Sequence, residues 1–299
     1  MYSGLFDIIP AEKIRINENM KLHTTLKIGG PVDIMVIPQT IDDIQKVIGF
    51  CSMYSIDYFV FGLGSNLLVS DKGIRKMAIK LGEGLKDIEI NETEIYCEAG
   101  VRLSQLAKIA AAKGLQGLEF AEGIPGSLGG GIVMNAGAYD GEMKNLLIKV
   151  TTVTPNGKLK DYHNADLQMG YRQSVFQNNE DIIVSALLRL NPGETEEIHR
   201  KMSEFSARRR RNQPLEYPNA GSTFKRPEGF YVGPMIEKMG LKGYKIGGAQ
   251  VSTKHAGFII NTGNATADDV LRLIRHIQNK AKQDFGVELH PEIKMVGEM

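Results

Sequence analysis

The sequence predicts a mixed α/β chain built in three consecutive segments. Three observations carry this reading. Short runs rich in β-branched and aromatic residues, at 33–37, 58–61, 77–81, 95–99, 147–154 and 182–190, alternate with segments of helical period. A nearly uncharged stretch, 117–141, concentrates 8 glycines in 25 residues, against 33 in the whole chain of 299. A polar, Pro- and Gly-containing stretch at 212–226 then separates these segments from a third one with helices of its own.

Taken in order, residues 1–31 read as a polar lead-in ended by the turn signal Gly29-Gly30-Pro31. A strand at 33–37 follows. Thr40 with Asp43 three residues on has the form of a helix N-cap pair, and Ile41, Ile44, Val47, Ile48 and Cys51 recur at helical spacing. The strand 58–61 completes a strand–helix–strand unit, typical of a small α/β domain. A short glycine turn, Gly62-Leu63-Gly64-Ser65-Asn66, comes next, and 67–71 again has strand character. Strands at 77–81, 88–90 and 95–99 precede a helix through Leu103, Leu106, Ala107 and Ala110, which Gly114 ends. After the glycine-dense stretch come a strand at 147–154, a hairpin-type turn at Pro155-Asn156-Gly157 and a strand at 182–190. Residues 195–211 form a helix ending in four arginines, 208–211, which a helix C-terminus favours in any case. The third segment has a helix through Val232, Met235, Ile236 and Met239, a strand at 258–260, and a long amphipathic helix at 266–283. Strands at 287–290 and 293–296 close it.

The net charge of +1 gives no reason to expect nucleic acid or an anionic membrane as partner, and no apolar run approaches the ~20 residues of a membrane span. The N-terminus lacks a basic region followed by an apolar core, so no signal peptide is expected. Cys51 and Cys97 fall on apolar faces outside any CxxC pair and read as buried free thiols of a reducing cytoplasm. The six histidines have no i, i+4 pair and no H-E-x-x-H, so no metal is expected.

Glycines among apolar residues let main-chain N–H groups approach a large polar ligand, so 117–141 either cradles the phosphates of a bulky cofactor or forms tight turns in a crowded core. The turn 62–66 is neither a dinucleotide fingerprint nor a Walker loop, since the third glycine and the Gly-Lys-Ser/Thr are missing. Three polar positions stand out: Tyr171-Arg172 after a polar turn, Ser222 among small residues, and Glu292 between Pro291 and a strand. Each alone has an ordinary structural reading. Ser222 lacks the G-x-S-x-G elbow of a nucleophile.

In register, however, these motifs are distinctive. Gly62–Asn66, Gly123-Ile124-Pro125-Gly126-Ser127, Asn135 to Tyr139, Tyr171-Arg172, Asn219 to Lys225 with Ser222 inside it, and Pro291-Glu292 occur in that order. The chain resembles the UDP-N-acetylenolpyruvoylglucosamine reductases (MurB), from about Thr24 to Gly297. The resemblance implies an α/β (α+β) chain with a vanillyl-alcohol-oxidase/PCMH-type FAD-binding fold of two subdomains, at 1–75 and 76–211, and a C-terminal α+β substrate-binding domain at 212–286. The terminal strands, 287–299, are expected to return to the second subdomain. It implies NADPH-dependent, FAD-mediated reduction of the enolpyruvyl ether of a UDP-sugar in peptidoglycan precursor synthesis, in the cytoplasm; the sequence leaves the oligomeric state open, with a monomer favoured. Carried over by motif, Ser222 is the proton donor and Arg172 and Glu292 are the other catalytic residues. Gly62, Leu63, Gly64, Ser65, Asn66, Gly123, Ile124, Pro125, Gly126, Ser127 and Asn135 are cofactor-binding. Tyr139, Tyr171, Lys225 and Arg226 are substrate-binding, although Arg226 stands where other members have Asn.

These roles suit the chemistry. Hydride addition to the enol carbon puts negative charge on its neighbour and into the carboxylate, which a planar, always-protonated guanidinium stabilises. Glu292 suits that charge only when protonated or sharing a proton. Ser222, a weak acid, needs close placement and a relay to deliver a proton. The chain resembles the shorter subclass, without an inserted tyrosine-bearing loop, which leaves the arginines at 208–211 as candidates for covering the substrate diphosphate. A flavin oxidase of the same fold and a non-catalytic UDP-sugar-binding protein are the competing readings. With no histidine in 58–75 or 115–142, a tether to FAD is not expected, and the cofactor is read as non-covalent.

Overall fold

The computed structural model describes residues 2–299. They divide into two compact units. The first comprises residues up to Ile16, Ile34–Leu63 and Lys76–Arg209; the second comprises Asn17–Asp33, Gly64–Arg75 and Arg210–Met299. Four of the five divisions fall inside the strands Ile14–Asn19, Pro31–Val36 and Ile74–Lys80 and one helix, and the fifth falls in the turn between residues 63 and 64.

Those three strands and Tyr58–Phe61 form a four-stranded sheet in the order 14–19, 31–36, 74–80, 58–61, with Tyr58 opposite Met77 in a parallel pair. In the first unit, helix α1 (Ile41–Met53) starts as its sequence predicts. The Thr40 hydroxyl accepts from the Asp43 N–H at 3.1 Å, and the Asp43 carboxylate accepts from the N–H groups of Gln39 and Thr40. A cap of this kind contributes about 1 kcal/mol. The buried face of α1, Ile44, Val47, Ile48 and Cys51, packs with Ile34, Val36, Met77 and Ile79.

A second, fully antiparallel sheet of the first unit runs in the order 159–163, 147–153, 182–189, 94–98, 88–91. Ala186 lies opposite both Val150 and Cys97, so alternate residues of three strands share one buried face. Helices α2 (Leu103–Ala112) and α3 (Leu128–Val133) contribute Leu103, Leu106, Leu128 and Ile132 to that core. Helix α4 (Thr195–Asn212) adds Ile198 and Met202.

In the second unit, α5 (Val232–Lys238) and α6 (Ala267–Phe285) pack with a three-stranded antiparallel sheet, 245–246, 249–251 and 259–261. α6 is bounded by a Thr266/Asp269 capping box and by Gly286 at φ +68°. The carboxylate of Asp71 also accepts from the N–H groups of Ala267 and Asp268 at its start.

Four sequence-based expectations change. The lead-in 1–31 is not merely polar: it supplies the strand Ile14–Asn19, and it buries Leu5, Ile9 and Ile14 in one core and Leu26 and Ile28 in another. Its apolar residues are spaced irregularly, so no single period reveals them. The terminal residues do not return to the 76–211 segment. Lys294–Val296 pairs in parallel with Leu67–Val69, and Leu289 and Ile293 enter the core of the second unit. Residues 287–290 are not a strand; they lead into Pro291, which has no N–H to donate to a ladder. The glycine-dense stretch contains a helix, α3, despite three consecutive glycines. Each glycine costs about 1 kcal/mol there relative to alanine. Packing explains two of them: a Cβ on Gly129 would lie 3.1 Å from the Ala99 Cβ, and one on Gly131 would lie 3.0 Å from the Leu103 Cδ1.

Candidate active site

The turn 62–66 is set by close backbone approach. Gly64 has φ +65°, and a Cβ there would stand 2.1 Å from the His23 carbonyl oxygen. A Cβ on Gly62 would stand 2.2 Å from the Ser127 Oγ, so Gly62 and the loop 123–127 meet at a point where any larger residue must displace the Ser127 hydroxyl. Asn66 is tied to the acidic motif: its Nδ2 donates to the Glu292 carbonyl at 3.1 Å, and its own carbonyl accepts from the Lys294 N–H at 3.0 Å.

The loop 123–127 is fixed by the segment before α2. The Leu103 N–H donates to the Gly126 carbonyl, the Leu128 N–H to Val101, and the Gly129 N–H to Ala99, all within 2.9 Å. Ser127, buried, caps α3 through the Gly130 N–H. At the other end of the loop, a Cβ on Gly123 would meet the Arg209 Cδ at 3.0 Å and Nη1 at 3.2 Å. The Nε and Nη1 atoms of Arg209 are buried with no hydrogen-bond partner, alone in this respect among the described residues. Burial pushes the Arg209 guanidinium below the usual arginine range; Tyr139 and Glu122 oppose that effect, and the charge of Arg172 adds to it.

Asn135 is 1% exposed, at φ +40°. Its Nδ2 donates to the Glu142 carboxylate at 2.8 Å and to the Gly170 carbonyl at 3.0 Å, while its Oδ1 accepts from the Lys144 N–H at 3.0 Å. Both amide hydrogens are therefore committed to protein, and the side chain joins the 135–142 loop to the turn that carries Arg172. Tyr139, at φ +51°, stacks on Phe205 with centroids 4.3 Å apart and donates its hydroxyl to the Phe205 carbonyl. The Arg208 guanidinium lies 5.5 Å from the same ring.

Arg172 sits in the Gly170–Gln173 turn at φ +53°. Its carbonyl accepts from the Gln177 Nε2, which also donates to Val133, and its Nη2 reaches the Gly137 carbonyl at 3.4 Å. Arg172, Asn135, Tyr139 and Asp140 are four non-glycine residues in the left-handed region on two linked loops. Left-handed backbone costs roughly 1–2 kcal/mol per residue, and such residues gather at functional sites. Tyr171, beside Arg172, is mostly exposed.

In the second unit, the Ser222 motif and the Glu292 motif are paired. The Glu292 N–H donates to the Thr223 carbonyl at 2.8 Å and the Lys225 N–H to the His290 carbonyl at 2.9 Å. Glu292 thus lies opposite Thr223, one residue from Ser222. Thr223 is anchored in turn: its N–H donates to Gly257 and its Oγ1 accepts from the Ile259 N–H. Gly221 at φ +79° makes the turn before Ser222, closed by its N–H on Asn219 Oδ1. The Ser222 hydroxyl is half-buried and donates to the Phe224 carbonyl at 3.2 Å. Arg226 stacks over the Tyr231 ring at 3.8 Å and bonds the Phe230 carbonyl; Lys225 is half-buried. Ser222, Glu292, Lys225 and Arg226 belong to the second unit, and Arg172, Tyr139 and Tyr171 to the first.

Sequence reasoning missed Arg209 as an individual, because nothing within the run 208–211 singles it out. Its place on α4 against Gly123 is a tertiary fact. It also missed that Asn66 and Asn135 bond protein groups. No group of three or more metal-binding side chains exists among the described residues, and no helix there is long and apolar enough to cross a membrane. The residues present fit an anionic dinucleotide: two glycine-lined loops meet at Gly62 and Ser127, and beside one of them stands a largely buried guanidinium that bonds Tyr139 but leaves Nε and Nη1 without a partner.

Residues 32–162 match the model of an FAD binding domain, and residues 213–296 match that of the UDP-N-acetylenolpyruvoylglucosamine reductase C-terminal domain. The chain is 58% identical, over the full length of both proteins, to a UDP-N-acetylenolpyruvoylglucosamine reductase of Syntrophomonas wolfei. It is 50% identical to that of Caldanaerobacter subterraneus, covering 98% of this chain and 97% of the relative. The crystal structure of the Thermus caldophilus reductase superposes with a TM-score of 0.82 at 33% identity, covering 95% of this chain and all of that one.

Proposed function

Because the chain belongs to the UDP-N-acetylenolpyruvoylglucosamine reductase family, we propose that it reduces the enolpyruvyl ether of UDP-N-acetylglucosamine-enolpyruvate to UDP-N-acetylmuramate, a step of peptidoglycan precursor synthesis, with NADPH as reductant and non-covalent FAD as carrier. FAD held by the loops 62–66 and 123–127 would supply the hydride chemistry between NADPH and the enol carbon. Everything else falls to side chains of this chain. Arg172, held in a strained turn by Gln177, stabilises the charge that spreads into the substrate carboxylate. Ser222 delivers a proton to the neighbouring carbon. Glu292 takes part in its protonated form, since a carboxylate would repel the developing charge.

The observation that carries this assignment is the pairing of 223–225 with 290–292, which brings the Glu292 motif alongside that of Ser222. Asn66 then acts by positioning Glu292, and Asn135, both of whose amide hydrogens are committed to protein, by positioning the Arg172 turn. The backbone of 62–66 and 123–127 holds the cofactor. Tyr139, Tyr171, Lys225 and Arg226 meet the anionic substrate. We place the domain that binds substrate at about 212–286, and the protein in the cytoplasm as a monomer, where two buried free thiols remain reduced. The test is NADPH consumption under anaerobic conditions: it proceeds only with the enolpyruvyl substrate. Equal consumption without it, or dependence on O₂, excludes the assignment.

A further inference from the structure

The feature least explained by the fold is Arg209. A guanidinium nitrogen that is buried without an acceptor carries the desolvation penalty of a charged group, effectively several kcal/mol. A buried polar group left without a partner in a folded protein calls for an explanation, and an ordered water or a bound ion is a common one. Here Nε and Nη1 are both orphaned, and the side chain lies against Gly123, the first residue of the loop 123–127. A Cβ at that contact would press on Cδ and Nη1, at 3.0 and 3.2 Å, so glycine gives the guanidinium its room beside the loop. The sequence therefore keeps the guanidinium beside the loop backbone at the expense of side-chain packing. Arg172 is close enough to repel it, so the neighbourhood holds two cations.

Three anions could answer: the flavin dinucleotide's diphosphate, the reduced flavin ring, and the substrate's own diphosphate. Persistence decides between them. Substrate leaves in every turnover, and the ring gains charge only when reduced. Each would leave Nε and Nη1 without an acceptor for part of the cycle. The diphosphate of a resident cofactor is charged throughout and stays.

We propose that Arg209 is a cofactor-binding residue that donates to the FAD diphosphate across the loop 123–127, and so is not a cover for the substrate. The inference rests on the reading of that loop as the cofactor cradle. It assigns α4 a role in holding FAD through one residue of its terminal arginine run.

The test is FAD titration of flavin-stripped protein, for wild type, Arg209→Gln, Arg209→Lys and Gly62→Ala, followed by protein fluorescence, with riboflavin titrated in parallel. Losing a charge-assisted hydrogen bond weakens binding by about 10–100-fold. Arg209→Gln should lose FAD affinity by that factor, with riboflavin affinity within twofold of wild type and partial recovery in Arg209→Lys. The apoprotein of Arg209→Gln should melt no lower than wild-type apoprotein, because it no longer buries two unpartnered guanidinium nitrogens, while its gain in melting temperature on adding FAD is smaller. Unchanged FAD affinity overturns the proposal, as does an equal loss for riboflavin, which points to the ring. Unchanged FAD affinity with weakened UDP binding to the holoenzyme overturns it in favour of the substrate. Gly62→Ala wedges a Cβ against Ser127 and reports on the cradle separately: if it weakens FAD while Arg209→Gln does not, the cradle stands and the arginine's role falls.

Discussion

Replacing Ser222 by alanine separates chemistry from structure. The hydroxyl makes one bond to protein, to the Phe224 carbonyl at 3.2 Å, from a half-buried position. Its loss costs about 0.5–1.5 kcal/mol, no more than a few degrees of melting temperature in a protein of this size. The backbone ladder between 223–225 and 290–292 needs nothing from the Ser222 side chain. Glu292 and Lys225 therefore keep their places in Ser222→Ala. A positioned proton donor contributes about 10²–10⁴-fold, equivalent to roughly 2.7–5.5 kcal/mol of barrier. Anaerobic rapid mixing resolves the two halves of the cycle. Bleaching of the flavin by NADPH should keep its wild-type rate, and return of colour on adding the enolpyruvyl substrate should slow by 10²–10⁴-fold. Equal loss in both halves, or slowing of the second by less than tenfold, refutes the role.

Three further predictions concern the scaffold. Burial works against ionisation of Asp43, but Lys13 and the N–H groups of Gln39 and Thr40 hold its carboxyl below the ordinary 3.8. A depressed acid stabilises the fold above its unfolded value and loses that contribution as pH falls through the folded one. Asp43→Asn should thus lower stability at pH 7 by about 1–3 kcal/mol in denaturant melts, with the gap to wild type closing below about pH 4. Asn135→Ala strands the Gly170 carbonyl and the Lys144 N–H and puts alanine at φ +40°; a loss of about 2–3 kcal/mol and weaker flavin retention should follow. Burial raises the Cys51 thiol to about 11 and pushes Cys97 up as well, so neither is a thiolate at pH 8. Both should react with a disulfide reagent only on unfolding; fast native labelling would contradict their burial.

Much of this was legible in the sequence, for identifiable reasons. The start of α1 is written locally, in Thr40 and Asp43, and appears as read. The strand 58–61 and the helix faces of α2 and α6 follow from periodicity, which needs no tertiary context. What failed depends on distant partners. Leu26 and Ile28 are core residues because the second unit covers them, and their flanks look like loop. α3 forms against its propensity because Ala99 and Leu103 leave no room for side chains at Gly129 and Gly131. The motifs located Ser222, Arg172 and Glu292, while the pairing of 290–292 with 223–225, and the use of Asn66 and Asn135 as struts, are visible only in three dimensions. The glycines of 62–66 and 123–127 sit where backbones crowd, Gly62 against Ser127 and Gly64 against the His23 carbonyl, and the Arg209 side chain lies against Gly123.

The central claim is that one flavin carries reducing equivalents from NADPH to an enolpyruvyl UDP-sugar, and a visible spectrum of the purified protein tests it directly. A yellow preparation should bleach on anaerobic addition of NADPH and recover its colour on adding the substrate, and its flavin should be released by denaturation. A colourless protein that binds no FAD would contradict the account. So would a flavin that NADPH leaves oxidised, or one that the substrate does not reoxidise.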